Sequence, residues 1–230
     1  MLPNLPRVMA ENIYDLMTLE DKILHEIKAN ITVAASIFGW EKTRMQLYTI
    51  AYASAPITTG QRMYEVFKSV GVSSQDELKK KDPALFYKEV MELNIRAGEE
   101  FAQHIRLLQK SEATKQYTGV ICPATFFAKG WTQEHYMSFW ERIIETFVDA
   151  IHFNNGWQYS NGCVEEYLIG LKTHKRLYQG NTLATLEPKE ALERIKQAIE
   201  DIQSLGADIK PLYNNYRRIE LLTFTSKHEA

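Results

Sequence analysis

Short strand-like runs alternate with amphipathic helical patterns along this chain, and that order constrains its fold more than any other feature. The strand-like runs are LYTIAYASAP (47–56), YTGVICPATFF (117–127), VDAIHF (148–153) and KRLYQG (175–180). Alternation of this kind is typical of a parallel sheet whose strands are joined by right-handed helical crossovers. The sequence therefore predicts an α/β protein with a doubly wound, mainly parallel sheet between helices, as in flavodoxin-like and Rossmann-like folds.

Helical patterns also occupy both ends of the chain. Apolar residues recur at helical spacing from Leu19 to Ile31, so residues 1–43 are predicted to form a helical N-terminal extension. Residues 44–182 are predicted to form the α/β core, and residues 183–230 a C-terminal helix and tail that pack on it. Within the core, residues 64–93 exceed a simple strand-to-helix connection and are interpreted as a lid, a partner surface or an insertion.

Composition narrows the class of protein. The 230 residues are 45% hydrophobic with a formal charge of −2, which supports a sizeable core and gives no reason to expect a nucleic-acid polymer or a membrane as partner. Two cysteines and six scattered histidines form neither a disulfide framework nor a paired metal motif. We therefore expect no metal, no cofactor and a reducing, cytoplasmic location, and no apolar run is long enough to predict a membrane span.

The stretch NNGWQYSNGCVEEY (154–167) directly follows the third strand-like run. Ser160 is predicted to cap a helix that starts near Asn161, where free N–H groups suit a phosphate or a sugar hydroxyl. Gly162 and Glu166 share one face of that helix, so the missing side chain leaves room for a substrate to reach the carboxylate. Glu166 is expected beside the buried stripe of the helix, which is predicted to be Val164, Leu168 and Leu171.

The stretch PITTGQR (56–62) follows the first strand-like run. Thr58 and Thr59 offer hydroxyls, Gly60 offers flexibility and Arg62 offers a bidentate donor, so together they suit a phosphate. A Gly-Lys-Ser/Thr sequence is missing, which gives no support to a Walker-type nucleotide site. Ligands of parallel α/β sheets bind beyond the carboxyl ends of the strands, which is where both stretches are predicted to lie.

Two stretches, AYASAPITTG (51–60) and DAIHFNNGWQYSNGCVEEY (149–167), carry a family resemblance. The first resembles the Tyr-x-Ser/Ala-Gly-Pro opening strand of the nucleoside 2-deoxyribosyltransferase-like superfamily. The second is similar to that superfamily's signature of an Asp-Ala strand, Gly-Trp, Ser-x-Gly and Glu. The order of the intervening elements also fits, and the resemblance covers about residues 47 to 180.

The resemblance implies both a reaction and two catalytic residues. Members of the superfamily transfer or hydrolyse at the N-glycosidic bond of nucleosides or nucleoside monophosphates. Glu166 matches the nucleophilic carboxylate, and Tyr52 matches the tyrosine whose hydroxyl positions it, with the chemistry of a retaining glycosidase. Asp149 matches a typical strand residue of the superfamily, to which we assign a structural role.

The resemblance also implies substrate-binding residues in the two loops. Ser160, Asn161 and Gly162 match the segment that holds the 5′ end, including a phosphate in the hydrolase branch, and Asn155 lies near the sugar hydroxyls. Trp157 is either an apolar wall of the site or part of the core. The full predicted set is Ser54, Thr58, Thr59, Gly60, Arg62, Asn155, Trp157, Ser160, Asn161 and Gly162.

Two positions depart from the pattern of the superfamily. Active members carry an aspartate in the preceding helix that protonates the leaving base, whereas this chain reads YMS at 136–138. Glu134, His135 and Glu141 are the alternatives there. The first loop has Ala55 where the superfamily has glycine, and the added methyl group narrows access to the backbone.

The sequence thus predicts an enzyme that cleaves or transfers at the N-glycosidic bond of a nucleoside or nucleoside 5′-monophosphate. The missing aspartate leaves a second hypothesis open, a nucleotide-binding module that senses its ligand without reacting. A third hypothesis is an interaction protein that works through its helical ends. The resemblance also implies a homodimer or higher homo-oligomer, because members often complete their sites across subunits.

Overall fold

The computed structural model describes residues 49–108 and 117–225. The helical extension predicted for residues 1–43 lies outside them. The described residues belong to two compact units: Trp131–Phe139 lie in one, while the described parts of Thr49–Gly130 and Trp140–Ala230 form the other, which contains the whole sheet. No helix within the described ranges is long and apolar enough to cross a membrane.

Among the described residues, four parallel strands form the sheet of this α/β protein. They are β1 (Thr49–Ser54), β2 (Tyr117–Ile121), β3 (Ala150–Phe153) and β4 (Arg176–Gln179), in the spatial order β2-β1-β3-β4. Each neighbouring pair is parallel. The predicted α/β class and parallel sheet are confirmed, although the sheet is smaller than the five or six strands of an average sheet.

The helices are numbered in chain order over the described residues. A π-helical segment, Phe86–Glu92, joins the third to the fourth, and a 3-10 turn, Trp157–Tyr159, precedes the sixth. The helices are α1 (Gln61–Val70), α2 (Gln75–Lys81), α3 (Pro83–Leu85), α4 (Leu93–Leu108), α5 (Gln133–Phe147), α6 (Asn161–Lys172), α7 (Pro188–Ser204) and α8 (Lys210–Thr225).

The two faces of β1 contact different helices. Ala51 and Ala53 are buried in a hydrophobic cluster with the inner side of α4. Tyr52 and Ser54 instead form hydrogen bonds with Glu166 on α6. Because successive residues of a strand point to opposite faces of the sheet, α4 and α6 lie on opposite faces.

Helix α6 lies close to the sheet at Gly170. A Cβ atom there would be 2.6 Å from Leu177 Cδ2 and 2.9 Å from Ile151 Cδ1. The absence of a side chain therefore lets the helix contact β3 and β4 at this distance without displacing Leu177 or Ile151. Gly170 is four residues beyond Glu166, so the same close contact holds the carboxylate near the sheet.

Glu166 lies within the buried surface of α6 rather than beside it, which corrects the prediction. The residue is only 7% exposed, and its helical neighbours Val164 and Leu168 are fully buried. Leu171, predicted for the buried stripe, is only partly buried. The difference arises because α6 is covered on two sides, by the sheet and by α8.

Residues 64–93 fold into a helical layer made of most of α1, then α2, α3 and the π-helical segment. These helices bury a hydrophobic cluster of their own, distinct from the one under α4. Its members are Met63, Phe67, Val72, Leu78, Phe86 and Val90. The interpretations of this segment as a lid, a partner surface or an insertion stay predictions.

Two helices lie in residues 183–225, the part of the C-terminal region that the structure describes, where a helix and a tail were predicted. The first, α7, begins at Pro188 and buries the apolar face that its sequence predicts. The second, α8, packs against α6 and α7. Its buried stripe is Leu212, Asn215 and Ile219, and the polar residue in the middle of that stripe masks the helical periodicity in the sequence.

Candidate active site

The carboxyl ends of β1 and β3 meet in the middle of the sheet. Ser54 pairs with Phe153 at the end of the two strands, and the Asn154 N–H donates to the Ser54 carbonyl at 2.9 Å. From β1 the chain passes to β2 on one side and later returns to β3 on the other. Such a point, where the strand order reverses, is the usual ligand site of a parallel α/β sheet.

A buried carboxylate is held by two hydroxyl groups at the end of β1. The Tyr52 hydroxyl donates to Glu166 Oε1 at 2.6 Å, and the Ser54 hydroxyl donates to Glu166 Oε2 at 2.5 Å. The Tyr52 ring is itself held by an edge-on contact with Trp140, with 5.7 Å between ring centroids. Each carboxylate oxygen therefore has its own donor, and the orientation of the group is fixed.

This arrangement follows from two local features of the sequence. Alternation along β1 places Tyr52 and Ser54 on the same face of the sheet. On the other side, Ser160 caps α6, with the Cys163 N–H donating to its hydroxyl at 3.4 Å, as predicted. Because the cap determines where α6 begins, it also determines the position of Glu166 along the helix relative to the hydroxyls of Tyr52 and Ser54.

Burial raises the pKa of the Glu166 carboxyl to about 7, against the effect of the Ser54 and Tyr52 hydroxyls, which lower it; the charge of Glu165 adds to the rise. Burial and the nearby Glu166 charge hold the pKa of Tyr52 well above its usual value. Burial likewise raises the pKa of the Cys163 thiol to about 12. Near neutral pH the Glu166 carboxylate can thus be ionised, while the Tyr52 phenol and the Cys163 thiol stay protonated. The ionised carboxylate suits Glu166 to be the nucleophile. The protonated thiol does not suit Cys163 to that role, because the nucleophilic form of cysteine is the thiolate.

The loop after β1 and the loop after β3 contact each other at the start of α6. The hydroxyls of Thr59 and Ser160 are 2.8 Å apart, in a hydrogen bond that either can donate. Thr59 comes from the loop after β1 and Ser160 from the loop after β3. The structure therefore brings together residues from both predicted sets at the first turn of α6, next to Asn161 and Gly162.

Asn94, at the start of α4, holds the first loop in place. Its side-chain nitrogen donates to the carbonyls of Ile57 and Thr59, both at 3.0 Å. Gln75 on α2 donates to the Thr58 carbonyl at 2.9 Å. Thr58 and Thr59 are thus fixed through their backbone, and neither amide could be identified as their partner from sequence spacing.

Gly60 has a conformational role where flexibility was predicted. Its φ is +100°, and a Cβ atom there would lie 2.6 Å from Pro56 Cβ. Glycine is required for both reasons, because L-residues rarely adopt this φ and the space is already filled. The result is a tight turn that leads directly into α1 at Gln61.

A cavity of about 210 Å³ lies between α1, α4 and the loop after β3. It brings the predicted residues Arg62 and Asn155 together, and it also exposes Glu65 and Asn94, which were not predicted. Glu166 and the first turn of α6 do not line it. The lining residues are Pro56, Gln61, Arg62, Glu65, Asn94, Ala97, Asn154, Asn155 and Gly156.

Trp157 belongs to the core, which was one of its two predicted roles. It is 1% exposed. Its ring contacts Phe153 and stacks on Tyr167, with centroids 4.9 Å and 5.3 Å away. It therefore packs the loop after β3 against the core and does not line the cavity.

The proton donor to a leaving base stays unassigned. Glu134 and His135 lie in the compact unit Trp131–Phe139, and Glu141 is exposed on α5. Asp149 accepts a hydrogen bond from the Ile50 N–H at 2.7 Å, in keeping with a structural role between β1 and β3. Within residues 49–108 and 117–225, no group of three His, Cys, Asp or Glu side chains is placed to hold a metal ion.

Comparisons of the chain with protein-family models, with curated proteins and with solved structures gave no match. The resemblance to the nucleoside 2-deoxyribosyltransferase-like superfamily therefore depends on the motifs themselves and on the geometry of the residues that they contain.

Proposed function

We propose that this protein is an enzyme of the N-glycosidic bond, acting on a nucleoside or nucleoside 5′-monophosphate. The observation that carries the proposal is the Glu166 carboxylate, buried and held between the hydroxyls of Tyr52 and Ser54. A retaining glycosidase needs a carboxylate with this kind of fixed orientation. The strand order and the helices on both faces are compatible with the doubly wound core of the nucleoside 2-deoxyribosyltransferase type, which we include in the proposal.

In the proposed reaction a Glu166 oxygen attacks the anomeric carbon of the sugar. The bond from that carbon to the base nitrogen breaks, and its electron pair leaves with the base. Water or a second base then displaces the carboxylate, giving hydrolysis or transfer. Because both oxygens accept hydrogen bonds in the free protein, one hydroxyl must lengthen its bond as the glycosyl ester forms.

The remaining predicted residues bind the substrate in this proposal. The first turn of α6, with Ser160, Asn161 and Gly162, receives the 5′ end, where N–H groups and the helix dipole favour a phosphate. Arg62 and Asn155 act from the cavity, which begins at Pro56, two residues beyond Ser54. Two residues span at most about 7 Å, so the cavity begins near the end of β1 that holds Glu166. A homo-oligomer that completes the site stays a prediction.

Purified protein incubated with a panel of nucleosides and nucleoside monophosphates tests the proposal. We expect release of free base from at least one member, detected by chromatography, and a glycosyl ester on Glu166 in a quenched reaction, detected by peptide mass spectrometry. Absence of base release from every member, in protein with an intact circular dichroism spectrum, contradicts the proposal.

The second candidate is a nucleotide-binding module that does not react. The observation that favours it is the burial of Glu166, 7% exposed with both oxygens occupied, together with the unassigned proton donor. Calorimetry distinguishes the two functions. Saturable binding of a nucleoside monophosphate that is recovered intact after long incubation supports the module, whereas recovery of free base supports the enzyme.

A further inference from the structure

The C-terminal helix reaches the candidate active site through a buried amide. Asn215, on α8, is 4% exposed, and its Nδ2 donates to Asn161 Oδ1 at 3.0 Å. Its Oδ1 accepts a hydrogen bond from Arg218 at 2.8 Å. Asn161 is the first residue of α6, next to the cap Ser160. A helix that was predicted to be a tail therefore contacts a residue of the proposed 5′-end site.

The chemistry of these three side chains fixes the direction of each amide. A guanidinium group only donates, so Asn215 must present its oxygen to Arg218 and its NH2 group to Asn161. Asn161 must then present its oxygen to Asn215, which leaves its own NH2 group on the opposite side. No acceptor among the described residues is bonded to that NH2 group.

Arg218 connects α8 to α6 at a second point. Its Nη1 lies 3.6 Å from a carboxylate oxygen of Glu165. Glu165 and Asn161 are four residues apart and share one face of α6, while Asn215 and Arg218 are three apart on α8. The two helices are therefore joined at two successive turns, and Arg218 contacts both Asn215 and Glu165.

We propose that Asn215 and Arg218 are positioning residues, which keep the NH2 group of Asn161 turned toward the ligand at the first turn of α6. There it would donate to an oxygen of the ligand, beside the free N–H groups of the helix. The identity of that ligand rests on the proposed function, whereas the direction of the amide does not.

The variant Asn215→Asp reverses the amide of Asn161 with almost no change in shape. An aspartate still accepts from Arg218, and more strongly, but it has no NH2 group to offer Asn161. Asn161 must then turn its NH2 group toward the new carboxylate and its oxygen toward the ligand. The matched control is Asn214→Asp, the same change one residue earlier, where the side chain is exposed.

Side-chain amide resonances measure this reversal in the free protein. We expect the Asn161 NH2 protons, assigned by their loss in Asn161→Ala, to move downfield in N215D and to stay in place in N214D. Unchanged Asn161 resonances in folded N215D overturn the proposal. If N215D does not fold, Arg218→Met replaces it, because Arg218 is 48% exposed; we then expect two Asn161 conformations, and a single unchanged one overturns the proposal.

Kinetics with the most active nucleotide of the panel provide the second readout. We expect KM to rise about 10- to 100-fold in N215D with kcat nearly unchanged, because a donor to the ligand has become an acceptor. In an Asn161→Ala background the same change should have almost no further effect. Equal losses in both backgrounds indicate a general structural role and overturn the proposal.

The two proposals fail in different ways. If wild-type protein releases no base from any nucleotide, the proposed function is wrong, and the amide resonances alone still decide the direction of Asn161. If the protein is active but N215D behaves like N214D, the function stands and the positioning role is wrong.

Discussion

The two faces of the sheet bury titratable side chains in different surroundings. On the α4 face, His152 is fully buried; its Nε2 lies 2.8 Å from the Tyr117 hydroxyl and its Nδ1 lies 3.1 Å from the Gly180 carbonyl. Because a carbonyl only accepts, Nδ1 carries the proton and Nε2 accepts from Tyr117. On the α6 face, Glu166 is held by two hydroxyls at the carboxyl end of β1.

Burial favours the neutral form of both groups. It lowers the pKa of His152 to about 4 and raises the pKa of Glu166 to about 7. His152 is enclosed by the rings of Tyr117 and Tyr178, with centroids 5.5 Å and 4.9 Å away, and both of its nitrogens are bonded. Both oxygens of Glu166 are bonded as well, but this carboxylate lies at the carboxyl end of β1, near the loops that follow β1 and β3. A shifted pKa alone therefore does not identify a functional residue, whereas its position relative to the strand ends does.

Glu166→Gln is expected to have the largest effect, a loss of activity without a loss of stability. Loss of the nucleophile should reduce kcat by at least about 10³-fold. The folded-state pKa of Glu166 lies above its unfolded value, so its contribution to stability is present at low pH and is lost as the pH rises through about 7. Unfolding by urea at pH 8 should then show the variant to be no less stable than the wild type, and more stable by up to about 3 kcal/mol.

The control is Glu193→Gln, an exposed carboxylate on α7. It should retain wild-type turnover and wild-type stability. A melting temperature several degrees lower in Glu166→Gln than in this control would assign Glu166 a structural role, and the contrast between the two faces would disappear.

His152 and Glu166, on opposite faces of the sheet, are expected to change the free energy of unfolding in opposite directions as the pH falls. The pKa of His152 is lowered on folding, so its contribution to stability is complete above about 6.5 and is lost as the pH falls toward 4. The loss is about 3 kcal/mol by pH 4. The contribution of Glu166 to stability increases over much of the same range as the pH falls. The free energy of unfolding of the wild type should therefore change comparatively little with pH.

Urea titrations of two variants separate these contributions. Glu166→Gln should lose about 3 kcal/mol between pH 7 and pH 4, because the contribution of His152 is then no longer offset by that of Glu166. Adding His152→Gln should remove most of that slope, whereas adding His104→Gln, an exposed histidine on α4, should leave it. A slope that persists without His152 would show that another group controls acid stability.

Tyr52→Phe is expected to reduce activity less than Glu166→Gln does, and it changes a hydroxyl on the α6 face of the sheet. The Tyr52 hydroxyl lowers the pKa of Glu166, so its loss should move the acidic limb of the kcat/KM profile above pH 7. A hydrogen bond to a charged group contributes about 1.5–3 kcal/mol, so kcat/KM at pH 7 should fall about 10- to 100-fold. Tyr117→Phe removes the corresponding hydroxyl on the other face and should cost stability without moving the profile. A profile that moves equally in both variants would contradict the assignment.

Much of the α6 face could be predicted because its determinants are local. Alternation in β1 places Tyr52 and Ser54 together, and the Ser160 cap depends on residues within one turn of it. The predicted contact between Tyr52 and Glu166 is present at 2.6 Å. For the strand and the cap, the information lies within a few neighbouring residues, which is the range over which a periodic pattern is informative. The contact between Tyr52 and Glu166 spans 114 residues, and only the family resemblance implied it.

The parts that could not be predicted depend on residues far apart in the chain. Asn94 holds carbonyls 35 and 37 residues away, and Asn215 reaches Asn161 across 54 residues. Helix α8, which the sequence suggests only as a tail, contacts α6 through Asn161 and Glu165. A buried amide in an otherwise apolar stripe weakens the periodic signal of its own helix, so the residue that joins α8 to the site also hides α8 in the sequence.

Gly170→Ala should have the smallest effect, and it tests how α6 holds Glu166 against β1. The new Cβ would lie 2.6 Å from Leu177 Cδ2 and 2.9 Å from Ile151 Cδ1. Overpacking costs about 1–3 kcal/mol, and alanine returns about 1 kcal/mol of helix propensity. Because both atoms end flexible side chains, we expect a net loss of about 1 kcal/mol in urea unfolding. A Cβ at Gly119, in β2, would meet no atom within 4 Å, so Gly119→Ala should be neutral or stabilising.

In Gly170→Ala the displaced helix should also lengthen the contact between Glu166 and Tyr52, and kcat/KM should fall several-fold while Gly119→Ala keeps full activity. Equal activity in the two variants would show that the catalytic contact does not depend on the close packing of α6 against the sheet.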